Sequence, residues 1–171
     1  NVGYVENHDL FKVNYDWRLP PGPDDGGLDG QIGGLTAQSV SDESYLYSVD
    51  YLGDILRQVK EQWALDHPSQ TLDAVDVIAH STGGLVARTY IQSAAYGGEY
   101  ASGKKLPKIN NLFMIGVPNR GASKAWNPLH DNWAVDGAYQ MVLSKIINRA
   151  YQKVMNGVLF ISGPDYDIRR V

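Results

Sequence analysis

Residues 74–88 read Ala74-Val75-Asp76-Val77-Ile78-Ala79-His80-Ser81-Thr82-Gly83-Gly84-Leu85-Val86-Ala87-Arg88, and the rest of the chain is best read outward from them. The run from Asp73 to Ala79 is short, β-branched and apolar, the pattern of a buried strand. From Leu85 the text turns to helix and continues to about Tyr96, ahead of Gly97-Gly98. Downstream, a loop with Lys104, Lys105 and Pro107 leads to a second buried strand, Asn111 to Gly116. Upstream, Phe11, Val13, Tyr15 and Trp17 recur at period two and predict a strand over Asp9 to Trp17, stopped by Leu19-Pro20-Pro21. Residues 20–41 hold six glycines and three prolines and read as a long surface loop. A helix is expected to start near Ser41-Asp42-Glu43, with Tyr45, Val49, Leu52, Leu56, Val59 and Trp63 on one face, and to end before Pro68. After a polar, aromatic stretch come a last helix near Ala138 to Met155 and a short strand over Val158 to Ser162. Strand, helix, strand, helix, strand predicts an α/β fold, a parallel sheet covered by helices on both faces.

The chemistry sits where the apolar strand meets the apolar helix. A serine on a sharp strand-to-helix turn, with small residues two before and two after it, is the nucleophile-elbow arrangement. Here Ser81 has Ala79 and Gly83 in those positions, because strand and helix approach closely at such a turn. The turn lifts the Ser81 oxygen above the carboxyl ends of the strands. The helix start aims the Thr82 backbone N–H at a developing oxyanion, and losing one such donor typically costs about 2.7–4 kcal/mol of barrier. His80 is expected to point away from the nucleophile, and Gly84 completes the turn.

Composition removes several other classes. The chain has 171 residues, net charge −4 and no cysteine, so disulfides, thiolate metal sites and a cysteine nucleophile are excluded. No basic run argues for a nucleic-acid partner. No apolar run approaches the roughly 18 residues of a membrane-spanning helix, so no integral membrane segment is expected in this chain. Asn1-Val2-Gly3-Tyr4 shows neither an initiator Met nor the pattern of a signal peptide. The acidic loop Asp24 to Gly30 lacks the spacing of a calcium loop and reads as a flexible insertion, so no metal and no cofactor is expected.

Val77 to Arg88 resembles the elbow of α/β-hydrolase lipases, particularly the lecithin–cholesterol acyltransferase-like group. Two further blocks agree in order. Tyr15-Asp16-Trp17-Arg18-Leu19 resembles that group's segment after the fourth strand. Ile115-Gly116-Val117-Pro118-Asn119-Arg120-Gly121-Ala122 resembles its loop after the sixth. The resemblance implies a single partial α/β-hydrolase domain over residues 1–171, three layers deep, with part of a cap or lid over 122–157. It implies a serine esterase, lipase or O-acyltransferase acting on lipid-like esters through an acyl-enzyme on Ser81, with transient contact to a lipid surface. Trp17, Pro118 and Asn119 would then flank the substrate pocket, although a packing role for Trp17 reads equally well. Arg18, Arg88 and Arg120 are expected to pair with Asp16 or Asp76 and hold loops.

A serine nucleophile needs a histidine, and the histidine a carboxylate. In the resembling fold these follow in the order serine, acid, histidine. Of the four histidines, His8, His67, His80 and His130, only His130 follows Ser81. Asp165, after the strand at 158–162, is the candidate acid within the chain, and His130, beside Asp131, the candidate base. Neither pair reproduces the expected order, which leads to the expectation that the histidine lies in a longer gene product. A hydrolase-like binding module without turnover, and a peptidase or thioesterase on the same scaffold, remain the alternatives.

Overall fold

The computed structural model describes residues 3–121, nearly all within the compact unit Asn1–Asn119; Arg120–Val171 forms a second unit. His130, Asp165, the expected cap at 122–157 and the helix at 138–155 lie outside the described residues.

Two strands and two long helices frame the first unit. Strand β1, Ala74–His80, is followed by helix α3, Gly83–Ile91, which crosses to strand β4, Lys108–Ile115. β1 and β4 pair in parallel, from Ala74 opposite Lys108 to His80 opposite Ile115. The register shifts between Val75 and Asp76, and the extra residue, Asn110, is absorbed by the Asp76 carboxylate. Its Oδ1 accepts from the Asn111 N–H at 3.1 Å, from Asn111 Nδ2 at 2.8 Å and from Asn110 Nδ2 at 3.1 Å. The side chain thus replaces the backbone partner that a bulge removes.

Helices α1, Ala37–Val40, and α2, Ser48–Asp66, precede β1, and a small antiparallel hairpin, β2 (Glu99–Ala101) with β3 (Lys104–Lys105), precedes β4. The core is built from Leu35, Val40, Val49, Leu52, Leu56, Val86, Tyr90 and Leu106. Tyr90 is fully buried, donates its hydroxyl to the Pro107 carbonyl at 2.6 Å and meets Tyr96 edge-on. Burial pushes its phenol up to about 12. The Tyr96 hydroxyl serves both backbone groups of Ile109, donating to its carbonyl at 3.1 Å and accepting from its N–H at 3.2 Å.

The result is a small mixed α/β domain with helices flanking a partial sheet. Several expectations are corrected. The sheet among the described residues has two strands and is not covered on both faces, since Ile78 is 75% exposed and Phe113 and Ile115 share that open face. Residues 11–16 form no strand, because their backbone finds no partner strand among the described residues. The loop at 20–41 is not all surface: Leu35, Ala37 and Val40 belong to the core, and 37–40 are helical.

The long helix starts at Ser48 rather than near Ser41. Asp42 Oδ1 accepts the Ser44 N–H, and Glu43 and Tyr45 take left-handed φ values of 64° and 47°, so the backbone cannot run on as helix. Helix α2 then begins where Asp50 accepts the Tyr47 N–H at 2.8 Å, and where the Pro20 and Pro21 carbonyls accept the Ser48 and Val49 N–H groups. Helix α3 ends at Ile91, short of Tyr96, because the Ser93 hydroxyl donates to the Tyr90 carbonyl and accepts the Ala95 N–H.

Candidate functional site

β1 ends at His80 and α3 begins at Gly83, so Ser81 and Thr82 alone make the turn. Ser81 has φ 53°, a left-handed conformation uncommon for a residue with a Cβ. Its own N–H donates to the Ile115 carbonyl at 3.0 Å and fixes the turn to the end of β4. Its carbonyl accepts from Gly84, and that of Thr82 from Leu85 and Val86. The N–H groups of Thr82 and Gly83 bond no described residue, and neither does the Ser81 hydroxyl. A half-buried serine therefore stands beside two N–H donors that are unpartnered among the described residues, at the start of a nine-residue helix whose dipole favours negative charge.

The small residues around the turn have a direct steric reason. Ala79 is buried, and a side chain at Gly84 would collide with the methyl groups of Val117. Val117 belongs to the loop after β4, so this contact seats that loop on the first turn of α3. Asn119 in the same loop accepts from Arg88 Nη1 at 3.3 Å, and its Nδ2 approaches Met114 Sδ at 3.7 Å. Pro118 is half-buried and Asn119 exposed.

The arginine expectations divide. Arg18 grips Asp16 through Nε and Nη2, at 2.8 and 2.6 Å, and this pair holds the Asp16 carboxyl at about 2. Arg88 bonds Asn119 rather than Asp76, whose carboxylate is taken up by Asn110 and Asn111. Trp17 follows Asp16 in a turn and is 79% exposed, so it does not pack in the interior.

None of the described histidines hydrogen-bonds Ser81. His8 pairs with Asp66 at 2.9 Å. His67 stacks on Trp63 at 3.9 Å, with its Nδ1 buried and unpartnered among the described residues. His80 is exposed, alternating along β1 with buried Ala79, as the strand period requires. Among the described residues no three acids or histidines cluster to hold a metal, and no helix is long and apolar enough to cross a membrane.

Sequence reading missed Tyr15. Its hydroxyl lies 2.7 Å from Thr82 Oγ1, and its ring passes over Gly83, where an added Cβ would meet the hydroxyl at 3.7 Å. The only signal in the sequence was its place in the Tyr15–Leu19 block. Beside it runs a cavity of about 560 Å³ between residues 8–15, β1 and the apolar face of α2, lined by Leu10, Val13, Leu56, Val59 and Ile78. β1's edge away from β4 and residues 11–15, both of which contribute to its lining, have no strand partners among the described residues.

The chain matches no protein-family model, and no curated protein or solved structure matches it significantly.

Proposed function

We propose that the intact protein is a serine acyl hydrolase or O-acyltransferase acting on lipid-like esters, with Ser81 as nucleophile. The observation that carries this reading is the strained Ser81 backbone, φ 53°, on a two-residue turn between a parallel strand and a helix, where the Thr82 and Gly83 N–H groups bond no described residue. The partial sheet and its helices are compatible with part of a three-layer α/β-hydrolase fold. The Ser81 oxygen attacks the acyl carbonyl and loses its proton to a histidine supplied from outside residues 3–121. The carbonyl oxygen, now negative, is held by the Thr82 N–H, and collapse expels the alcohol to leave an acyl-enzyme. Water or a second alcohol then takes the acyl group. Every step uses side chains and backbone donors alone. The preference for lipid-like esters rests on the resemblance of the three sequence blocks.

The sequence reading puts the histidine downstream, in the full-length protein, with His130 the alternative inside the chain. Hydrolysis of a series of p-nitrophenyl esters by the full-length protein tests the proposal. Ser81→Ala is expected to abolish turnover while circular dichroism stays unchanged. Residues 1–171 alone are expected to turn over negligibly, and robust turnover by them would assign the base to His130. A folded full-length protein without Ser81-dependent turnover favours the second reading, a binding module that keeps the scaffold. The placement of His8, His67 and His80 away from any bond to Ser81 is the observation on its side.

A further inference from the structure

The residue that precedes α3 is a threonine, a type that ordinarily caps a helix by accepting an N–H with its hydroxyl. Thr82 makes no such bond. Its hydroxyl is turned instead to the Tyr15 hydroxyl, 2.7 Å away. Among the described residues this is the one hydrogen bond that ties residues 11–15 to the turn, since Lys12 pairs locally with Glu6 and the backbone there is unpartnered. Tyr15 is half-buried and packs against the core, so the anchor for its hydroxyl is firm.

We propose that Tyr15 is a positioning residue for acyl transfer at Ser81: by holding the Thr82 hydroxyl it fixes the Thr82 peptide and keeps that N–H directed at the oxyanion site. This rests on the reading of Ser81 as nucleophile. Removing the phenol oxygen frees a threonine hydroxyl one residue from the nucleophile. That hydroxyl can swing onto the N–H groups of Gly84 and Leu85, which now bond the Ser81 and Thr82 carbonyls. The turn relaxes with it. The loss falls on the transition state, where the oxyanion donor is needed, and not on ground-state binding.

The test is a double-mutant cycle on the full-length protein, following the rate of fluorophosphonate labelling at Ser81 and the kcat and KM for a p-nitrophenyl ester. Tyr15→Phe is expected to lower the labelling rate and kcat about 10-fold with KM little changed. Thr82→Val breaks the same bond from its other end and should cost a similar factor. The double variant should cost no more than either single one, because the two act as a unit. Thr82→Ser, which keeps a hydroxyl, should fall much less than Thr82→Val. Circular dichroism and the unfolding midpoint monitor the fold of each variant.

Tyr15→Phe labelling at the wild-type rate, or losses that add in the double variant, would overturn the positioning role and leave Ser81 as nucleophile. A folded wild type that does not label would overturn both. If Tyr15→Phe fails to fold, the Thr82→Val and Thr82→Ser pair carries the test: equal losses in the two would refute the role.

Discussion

The helical side of the domain and the open face of its sheet are built to different standards. On the helical side, Val40, Val49, Leu56 and Tyr90 are buried, and the Tyr90 hydroxyl and the Asp50 carboxylate are partnered by Pro107 and Tyr47, whereas at the end of α2 Trp63 Nε1 and His67 Nδ1 have no partner among the described residues. On the open face, Ile78, Phe113 and Ile115 stand exposed, and residues 11–15, which line one cavity with β1, do not pair with it. Ser81 lies on the boundary. Its helix side is fixed by hydrogen bonds into α3, and its strand side by one bond to Ile115. Rigidity at the turn therefore comes from the helical layer and from Val117 and Tyr15, more than from the sheet.

Substitutions on the two sides should therefore differ in cost. The largest contrast is between Leu56→Ala and Ile78→Ala in urea unfolding. Leu56 is 3% exposed and its truncation should cost about 2–5 kcal/mol, whereas Ile78→Ala should stay within about 0.5 kcal/mol. Equal losses would mean the sheet face is as tightly packed as the helices. Next, Gly53→Ala should destabilise by about 1–3 kcal/mol although alanine is the better helix former, because its Cβ would strike the Val40 carbonyl where α1 crosses α2. A gain in stability would show that this crossing yields.

Asp50 gives a smaller effect with a sign. Burial raises its carboxyl above the usual range, so the folded state disfavours the charge. This penalty is absent below the unfolded pKa and is fully felt once pH rises through the folded one. Asp50→Ala should cost about 1 kcal/mol by losing the cap on the Tyr47 N–H. Asp50→Asn keeps an acceptor and should flatten that part of the pH profile. The smallest effect belongs to Asp16, held at about 2 chiefly by its hydrogen bonds from Arg18. The stabilisation from this exposed pair is present above the ordinary carboxylate value and is lost as pH falls through about 2. An NMR titration should find Asp16 returning towards the usual range in Arg18→Gln.

What was legible in the sequence is what short-range pattern controls. The β-branched run expected over 73–79 forms β1 at Ala74–His80, the turn falls at Ser81, and the strand expected over 111–116 lies within β4 apart from Gly116, although β4 starts earlier, at Lys108. The start of α2 was misplaced because a hydrophobic stripe continues through Tyr45, while the Asp42 turn and the Asp50 cap decide where the backbone becomes helical. Phe11, Val13 and Tyr15 carry a strand's alternation, yet a strand needs a neighbour, and pairing is not local information. The buried end of the glycine-rich loop was hidden for the same reason, since Leu35 and Val40 gain their burial from α2 and α3. Within the site, Ser81, Thr82 and the small residues could be read directly. Tyr15, 67 residues before Thr82, could not.

On this reading the strained turn at Ser81 carries an activated nucleophile. Fluorophosphonate labelling of the full-length protein, with the modified peptide mapped by mass spectrometry, tests it most directly. The account predicts a single adduct on Ser81 that disappears in a folded Ser81→Ala variant. An unlabelled folded wild type, or an adduct on another residue that survives Ser81→Ala, would contradict it.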